Sequence, residues 1–328
     1  RSYDRNKELM ETVGVNVTHD ASLCKCVDGE ITLFLEEERL SRTKYDEIPT
    51  NLISQFIDKD EVNFTGLEYS RETLKDKVDG ITKYVMKSGD KKFEMHNRHH
   101  LLHALCGFYN SEFEEADVVV VDGMGNYMDE NHHECATRWN IKRPCEVRLL
   151  EQQGTVRYDS ARLWNLIHHG SWPMGIGMAY ASIAQYLGFG SLGSGKVMGL
   201  APYGKEDENI KPFVLDNGMV NSKLFYRTED GANFIPYDYL PEKVDVGDQK
   251  FMNLAYRLQK DFQKWMTDFI LKCESKNIVL TGGCALNCVA NYEYLKHLPK
   301  DVNLYIEPIS SDAGTSIGLA KLLYYSTL

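Results

Sequence analysis

The strongest constraint on the fold is a pattern of strand, polar turn and two further strands that occurs twice in the chain. A strand at Val13–Val17 runs into the polar turn Thr18–Ser22, and the four valines of Val118–Val121 run into the turn Asp122–Gly125. A continuous apolar run bounded by turn residues is typical of a strand covered on both faces. The strands that follow the two turns are Leu23–Val27 and Ile31–Leu35 in the first copy, and Thr137–Ile141 and Glu146–Leu150 in the second. The pattern predicts an α/β protein with a duplicated architecture.

The same periodicities predict the rest of the chain. Asp28-Gly29 indicates a two-residue hairpin turn, and residues 50–115 are predicted to be mainly helical. Later elements are the helices Met178–Leu187 and Phe251–Lys272 and the strands Asn277–Leu280 and Val302–Ile306, followed by a closing helix. We expect residues 1–12 to be a disordered lead-in or cloning remnant and residues 13–115 to form a first lobe with a helical insertion. Residues 116–300 are expected to form a second lobe, with an irregular insertion near 203–250. Residues 301–328 are expected to hold the final strand, the Asp312 loop and the closing helix.

Charge and cysteine usage narrow the class of protein. The formal net charge of -11 opposes tight, non-specific binding to duplex nucleic acid, which usually needs a basic surface, although a local basic patch stays open. The eight cysteines include no Cys-x-x-Cys pair, which argues against a structural zinc site. Cys24 and Cys26 are expected on one face of a strand as buried, reduced thiols, which fits a cytoplasmic protein. We expect no membrane span and no signal peptide.

Two histidines and one aspartate predict a metal site. His99 and His103 are four residues apart, so a helix places both imidazoles on one face, one turn apart. Asp122 directly follows the valine strand, and two imidazoles with one carboxylate supply three of the ligands that a nitrogen and oxygen metal site needs. The alternative is a solvated helix face with two water-exposed histidines.

Glycines at the ends of strands predict phosphate binding. Glycine allows backbone N–H groups to approach a phosphate closely, and ligands of open α/β sheets lie at the carboxyl ends of the strands. Three loops at the carboxyl ends of strands are candidates for this use: the polar turn Asn16–Ser22, and the glycine turns Asp122–Gly125 with Gly123 and Gly282-Gly283 before a helix that starts near Ala285. Three such loops in a duplicated sheet predict a nucleotide held between two lobes.

Two nucleotide-binding motifs in the middle of the chain are rejected. Gly188–Gly193 matches the letters G-x-G-x-x-G, and Gly190–Lys196 matches the first seven letters of a P-loop. Both motifs require a preceding strand, whereas Tyr180–Leu187 is predicted to be helical. Val197 also occupies the position where a P-loop needs Ser or Thr for magnesium. Lys196 is kept as a candidate phosphate ligand on a loop.

Seven motifs in order along the chain resemble one enzyme family. They are Thr18–Ser22, Glu36–Arg42, His99–Ala104, Val121–Gly123, Gly195–Gly204, Gly282–Asn287 and Ser311–Thr315. The chain resembles the O-carbamoyltransferases related to nodulation and antibiotic-tailoring enzymes, over residues 13–320. The resemblance implies two ribonuclease-H-like lobes of the actin and sugar-kinase (ASKHA) superfamily. It also implies a divalent metal of the iron type that binds phosphate and is held by His99, His103, Asp122 and Asp312.

Family enzymes work in two stages. A second domain makes carbamoyl-adenylate from carbamoyl phosphate and ATP, and the domain that resembles this chain passes the carbamoyl group to a hydroxyl. The sequence reaches Leu328 without a second domain of comparable size, so we expect that domain to be a separate chain or missing. The acceptor is expected to be a small-molecule or nucleoside hydroxyl.

Individual roles follow from the chemistry of that transfer. As a hypothesis, His19 or Asp20 accepts or orients the proton of the acceptor, and Lys44 or Lys196 donates to the carbonyl oxygen or the phosphate. On family resemblance Gly283 and Asn287 line the adenosine, while Gly123, Gly125, Gly282 and Gly314 belong to the nucleotide loops.

Each of these roles has a structural alternative. His19 and Asp20 could cap their turn, Lys44 could be a surface lysine, and Asp312, Gly283 and Asn287 could belong to helix caps or a capped turn. The run Glu36–Glu38 could be a solvated strand end paired with Arg39 and Arg42.

Two other functions stay open from the sequence. Threonylcarbamoyl transfer to tRNA uses the same fold and the same H-x-x-x-H motif, but the net charge of -11 gives no sign of a tRNA-binding face. A non-catalytic nucleotide-binding regulator is the other alternative, and the complete set of metal ligands argues against it.

Overall fold

The computed structural model describes residues 9–58, 62–69, 90–129, 132–156, 173–227, 234–236 and 244–327. Its strands are β1 Glu11–Val17, β2 Ser22–Val27, β3 Glu30–Glu36, β4 Phe64–Tyr69, β5 Lys91–Glu94, β6 Glu115–Val121, β7 His132–Lys142, β8 Glu146–Val156, β9 Phe225–Arg227, β10 Phe234–Pro236, β11 Asn277–Thr281 and β12 Asn303–Ile306. Its helices are α1 Glu38–Ser41, α2 Thr50–Phe56, α3 Met95–Asn110, α4 Ile176–Tyr186, α5 Ser194–Leu200, α6 Gln249–Ile270, α7 Cys288–His297 and α8 Thr315–Tyr325.

Two five-stranded sheets share one topology, which confirms the predicted duplication. The first sheet has the order β3-β2-β1-β4-β5 and the second has the order β8-β7-β6-β11-β12. In each sheet the first three strands along the chain pair antiparallel, and the last two join in parallel. The carboxyl ends of β1 and β6 therefore occupy equivalent places in the two sheets, and a polar turn follows each of them.

The central strands are buried as their sequences predict. Val13, Val15 and Val17 of β1 and all four valines of Val118–Val121 in β6 have no exposed surface, because helices cover the faces of both sheets. The Asp28-Gly29 turn is also confirmed, since both residues have the positive φ that such a hairpin requires.

Three expectations are corrected in detail. In the described part of residues 50–115, α2 and α3 are the expected helical segments, but the strands β4 and β5 also lie there and pair in parallel with β1 and with each other. The lead-in does not extend to residue 12, because β1 begins at Glu11 and the buried Thr12 hydroxyl donates to the Ala320 carbonyl oxygen at 2.9 Å. The helix expected near Ala285 begins at Cys288, after a 3-10 turn at Gly283–Leu286.

The closing helix packs on the first sheet, although the last strand belongs to the second. A Cβ on Gly14 would lie 2.0 Å from the Ser316 carbonyl oxygen, so α8 crosses β1 in direct backbone contact. On the same sheet Gly66 of β4 faces the Leu319 side chain. The end of the chain thus returns to the first lobe, while the lobe boundaries stay a prediction.

The structure bears on four smaller expectations. All eight cysteines are free thiols, and the Cys24 and Cys26 sulfur atoms lie 3.9 Å apart on one face of β2. Helix α4, not a strand, precedes Gly188, which confirms the rejection of both nucleotide motifs. Arg39 contacts Glu36 and Glu38 as expected, but Glu37 is buried and not a solvated strand end. Among the described helices, none has the length and apolar character needed to cross a membrane.

Candidate metal centre

Two buried histidines of α3 form one half of the site. His99 and His103 have no exposed surface, and their rings meet edge to face with centroids 4.6 Å apart. Their Nε2 atoms lie 3.2 Å apart and point at the same place. Burial of both rings contradicts the alternative of a solvated helix face.

Two aspartates from distant segments form the other half. Asp122 follows β6, and its Oδ2 lies 3.2 Å from His99 Nε2. Asp312 lies in the 3-10 turn Asp312–Gly314 just before α8, and its Oδ1 lies 3.4 Å from His99 Nε2 and 3.5 Å from His103 Nε2. One ligand atom from each of the four side chains lies within 4.8 Å of the other three.

The donor set fits a metal ion. Ligands bound at about 2.1 Å in a tetrahedral or octahedral arrangement are about 3–3.5 Å from one another, which is the spacing of the two Nε2 atoms and the nearest carboxylate oxygens. Imidazole and carboxylate ligands suit divalent first-row metals such as iron, zinc or manganese, so these ligands do not by themselves decide the identity of the metal.

The histidines keep both aspartates ionised. Burial alone would raise the pKa of Asp122, but the hydrogen bond from His99 lowers it overall. Burial is likewise outweighed at Asp312, where His99 and His19 hold the pKa well below its usual range. The buried Asp312 and the partly buried Asp122 therefore both carry charge at neutral pH, which favours a cation between them.

His19 contacts the same cluster from the first lobe. Its Nδ1 lies 3.3 Å from Asp312 Oδ2, and about a third of its side chain is exposed (34%). Burial lowers the pKa of His19, but the Asp312 carboxylate outweighs burial and raises it to about 9. Burial is the largest cause of the raised pKa of the neighbouring Asp20.

Asn16 places this turn against the Asp312 segment. Its Nδ2 donates to Thr18 Oγ1, to the Asp20 carbonyl oxygen and to the Asp312 carbonyl oxygen, each at 3.0 Å. The turn after β1 and the turn before α8 are therefore joined by one buried side chain. Reasoning from the sequence did not single out Asn16, whose only signal was its place at the end of β1.

The two candidate lysines lie on the surface. Lys44 is exposed, with its ammonium 4.6 Å from the centroid of the Tyr45 ring. Lys196 is exposed in α5, with its ammonium 5.7 Å from the centroid of the Phe189 ring. Their proposed contacts with substrate stay predictions.

The glycine loops meet at Asp122. Gly282 has φ 86°, and a Cβ there would lie 2.5 Å from the Val121 carbonyl oxygen. A Cβ on Gly283 would lie 2.8 Å from Asp122 Oδ1, while Gly123 has open space, with only Met178 Sδ at 3.7 Å. The predicted second and third phosphate loops are therefore adjacent, and residue 282 must be a glycine for them to approach this closely.

Three other predicted nucleotide ligands have structural partners. A Cβ on Gly125 would lie 2.3 Å from the His100 ring, and a Cβ on Gly314 would lie 2.1 Å from the Ile309 carbonyl oxygen. The Asn287 side chain caps α7 by accepting from the Ala290 N–H at 3.0 Å, and it exchanges two hydrogen bonds with Gln259. Their roles in nucleotide binding stay predictions.

One part of the site was missed from the sequence. Gly177, in the first turn of α4, packs so closely on the Asp122 turn that a Cβ would lie 2.6 Å from the Asp122 carbonyl oxygen. The N-terminus of α4 therefore lies beside the glycine loops, where the first-turn N–H groups and the helix dipole favour an anion. The signal was Gly175-Ile176-Gly177 immediately before the predicted helix.

Comparison with known proteins gives one family and several relatives. The family model described as carbamoyltransferase N-terminus matches residues 20–321. An uncharacterized protein, sll1178, of a Synechocystis strain is 26% identical, over 94% of this chain and 56% of that protein. The nodulation protein NolNO of Sinorhizobium fredii is 24% identical, over 93% of this chain and 46% of that protein. The chain thus spans about half the length of these curated relatives.

Solved structures agree on the fold. HypF of T. kodakarensis superposes with a TM-score of 0.60 at 11% identity, over 98% of this chain and 48% of that chain. A full-length HypF in a phosphate- and nucleotide-bound form superposes with a TM-score of 0.53 at 13% identity, over 97% of this chain and 56% of that chain. At this identity the likeness shows the fold, which is the ASKHA architecture expected from the sequence.

Proposed function

The chain belongs to the carbamoyltransferase family, and we propose that it performs the transfer step of an O-carbamoyltransferase. In this step the carbamoyl group of carbamoyl-adenylate passes to a hydroxyl of a small-molecule or nucleoside acceptor. The observation that carries the proposal is the convergence of His99, His103, Asp122 and Asp312 beside the glycine loops of the second lobe.

The four ligands would hold a divalent metal ion of the iron type. Bound there, the ion would supply positive charge to the phosphate of the adenylate. The N-terminus of α4 and the Gly282-Gly283 turn lie against Asp122, so backbone N–H groups would add to that charge at the same place.

The chemistry forms one bond and breaks one. The acceptor oxygen bonds to the carbamoyl carbon, the bond from that carbon to the phosphate oxygen breaks, and AMP leaves. The acceptor loses a proton, for which Asp20 in the turn after β1 is the candidate base, while His19, whose raised pKa keeps its imidazole protonated at neutral pH, would orient the acceptor. Because Asp312 occupies Nδ1 of His19, it is Nε2 of that ring that would meet the acceptor.

The adenylate would come from carbamoyl phosphate and ATP on a different domain or chain. The relatives are about twice as long as this chain, which supports a second functional part in the family. Eight free thiols support a reducing, cytoplasmic setting, and the net charge of -11 supports a small acceptor rather than tRNA.

A label-transfer assay tests the function. The chain is mixed with an adenylate-forming partner domain, ATP and carbamoyl phosphate labelled in its carbon, and a panel of hydroxyl compounds is offered. We expect label in an acceptor with release of AMP in equal amount, and loss of both with His19→Ala. If the partner forms adenylate but no hydroxyl compound gains label, the result favours the alternative of a non-catalytic nucleotide-binding regulator.

A further inference from the structure

A buried carboxylate behind the site holds the turn that carries Asp122. Glu134 of β7 has no exposed surface, and its Oε1 accepts from the Asn126 N–H at 3.2 Å. Its Oε2 accepts from Gln152 Nε2 of the neighbouring strand β8 at 2.7 Å. Both oxygens are therefore occupied, as the burial of a carboxylate requires.

The main chain of the same two residues is paired as well. The Glu134 N–H donates to the Asn126 carbonyl oxygen at 2.8 Å, and the Gly125 N–H donates to the Glu134 carbonyl oxygen at 2.7 Å. In addition, the Asp122 N–H donates to the Cys135 carbonyl oxygen at 3.0 Å. The turn from Asp122 to Asn126 is thus fixed against the start of β7.

Asn126 connects this turn to the histidine helix. Its side-chain Oδ1 accepts from the backbone N–H of His99 at 2.6 Å. One residue therefore joins the main chain of a histidine ligand to the turn of the aspartate ligand, and Glu134 holds that residue in place. Gly125 allows the approach, since a Cβ there would lie 2.3 Å from the His100 ring and 2.8 Å from Glu134 Cγ.

We infer that Asn126 and Glu134 are positioning residues that fix the Asp122 carboxylate relative to the His99 and His103 imidazoles and thereby set the affinity of the site for its cation. The inference rests on the cation of the proposed function but does not depend on the reaction. Residues that orient metal ligands typically change metal affinity by about 10–100-fold when they are replaced.

Metal binding by four variants tests the inference. The probe is Co²⁺ alone, titrated into metal-free protein in competition with a chromophoric chelator. We expect Asn126→Ala to weaken Co²⁺ binding by about 10–100-fold, because the His99 N–H loses its acceptor and the Asp122 turn is released. We expect Asn126→Asp, which keeps an oxygen at the same place, to restore the affinity.

Asn140→Ala is the matched control. Asn140 lies on β7, as Glu134 does, but at the other end of that strand. Its Nδ2 donates to Asp117 Oδ1 of the neighbouring strand β6 at 3.1 Å. A general loss of strand stability would affect this variant equally, so thermal unfolding of the metal-free proteins is measured in parallel. We expect Asn140→Ala to bind Co²⁺ as the unmodified chain does.

A fourth variant covers the case in which Asn126→Ala does not fold. Gln152→Ala removes one donor to Glu134 from an exposed side chain on the edge strand β8, and it should weaken Co²⁺ binding in the same direction but less. The inference is overturned if Asn126→Ala, or Gln152→Ala in its place, binds Co²⁺ no more weakly than Asn140→Ala. It is equally overturned if the unmodified chain binds no Co²⁺. A chain that binds Co²⁺ normally but transfers no carbamoyl group contradicts the proposed function alone.

Discussion

At the residue scale, the site is built from polar side chains that are largely shielded from water. His99 and His103 are fully buried, yet their Nε2 atoms face each other at 3.2 Å beside two ionised aspartates. Burying such groups costs free energy unless they are paired or bind a metal. Close backbone contacts around Asp122 leave little freedom to rearrange, which makes single substitutions informative.

Replacing both histidines should remove the metal. The variant His99→Ala with His103→Ala keeps only two of the four ligands, so we expect the purified protein to lose its stoichiometric metal in elemental analysis. The control is His132→Ala, whose ring is paired with Asp129 at the surface and should leave the metal in place. Unchanged metal content in the double variant would end the metal assignment.

Gly177→Ala should destabilise the protein through the Asp122 turn. The added Cβ would lie 2.6 Å from the Asp122 carbonyl oxygen, and relieving this overlap is expected to cost about 1–3 kcal/mol. Gly199→Ala is the matched helical control, because no atom lies within 4 Å of its Cβ position. That change should stabilise the protein by about 0.5–1 kcal/mol, and urea unfolding measures both. Equal stability of the two variants would contradict the close contact.

At the element scale, two helices begin on hydrogen bonds with other segments of the chain. Helix α2 follows Pro49, whose side chain cannot cap it, and the buried carboxylate of Glu37 instead accepts from the N–H groups of Asn51 at 3.1 Å and Leu52 at 2.9 Å. At the other end of the chain, Ser22 Oγ donates to the Ala313 carbonyl oxygen at 2.8 Å and fixes the start of α8 on β2. These contacts place the turns that meet at the site.

Glu37→Ala should therefore destabilise α2. Losing charge-assisted hydrogen bonds at a helix N-terminus is expected to cost about 1–3 kcal/mol in the free energy of unfolding. Glu37→Gln keeps a carbonyl acceptor, so its cost should be smaller. The exposed Glu30 provides the control, since Glu30→Ala should change stability by less than about 0.5 kcal/mol. Chemical denaturation of the three variants measures their free energies of unfolding. If Glu37→Ala leaves this free energy unchanged, the cap is dispensable.

At the scale of the whole molecule, the four ligands join parts of the chain that lie far apart. The histidines come from α3, Asp122 from the end of β6 in the second sheet, and Asp312 from the turn before α8, which packs on the first sheet. A cation bound there connects both lobes in the folded state and has no equivalent site in the unfolded chain.

Chelation should lower the thermal stability of the whole protein. A ligand present at about 100 times its dissociation constant stabilises the folded state by about 2.7 kcal/mol, so EDTA should lower the melting temperature measured by calorimetry. The double histidine variant should melt at the same temperature with and without EDTA. An EDTA effect of equal size in both proteins would place the stabilising metal elsewhere.

Much of this arrangement follows from local sequence. The valine runs predict two central strands, Asp28-Gly29 predicts its hairpin, and the spacing of His99 and His103 predicts a shared helix face, because each depends only on the period of one element. The meeting of Asp312 with the histidines was expected only from the family resemblance, since no local pattern brings residues so distant together.

Tertiary structure decided the rest. Phe64–Tyr69 becomes a strand because it pairs with β1, and α8 joins the first sheet because Gly14 and Gly66 leave room for it there. Glu37 is buried because the N-terminus of α2 needs an acceptor. Periodicity reports what a segment can form, whereas parallel pairing, close glycine contacts and buried hydrogen bonds depend on which distant segment comes to lie beside it.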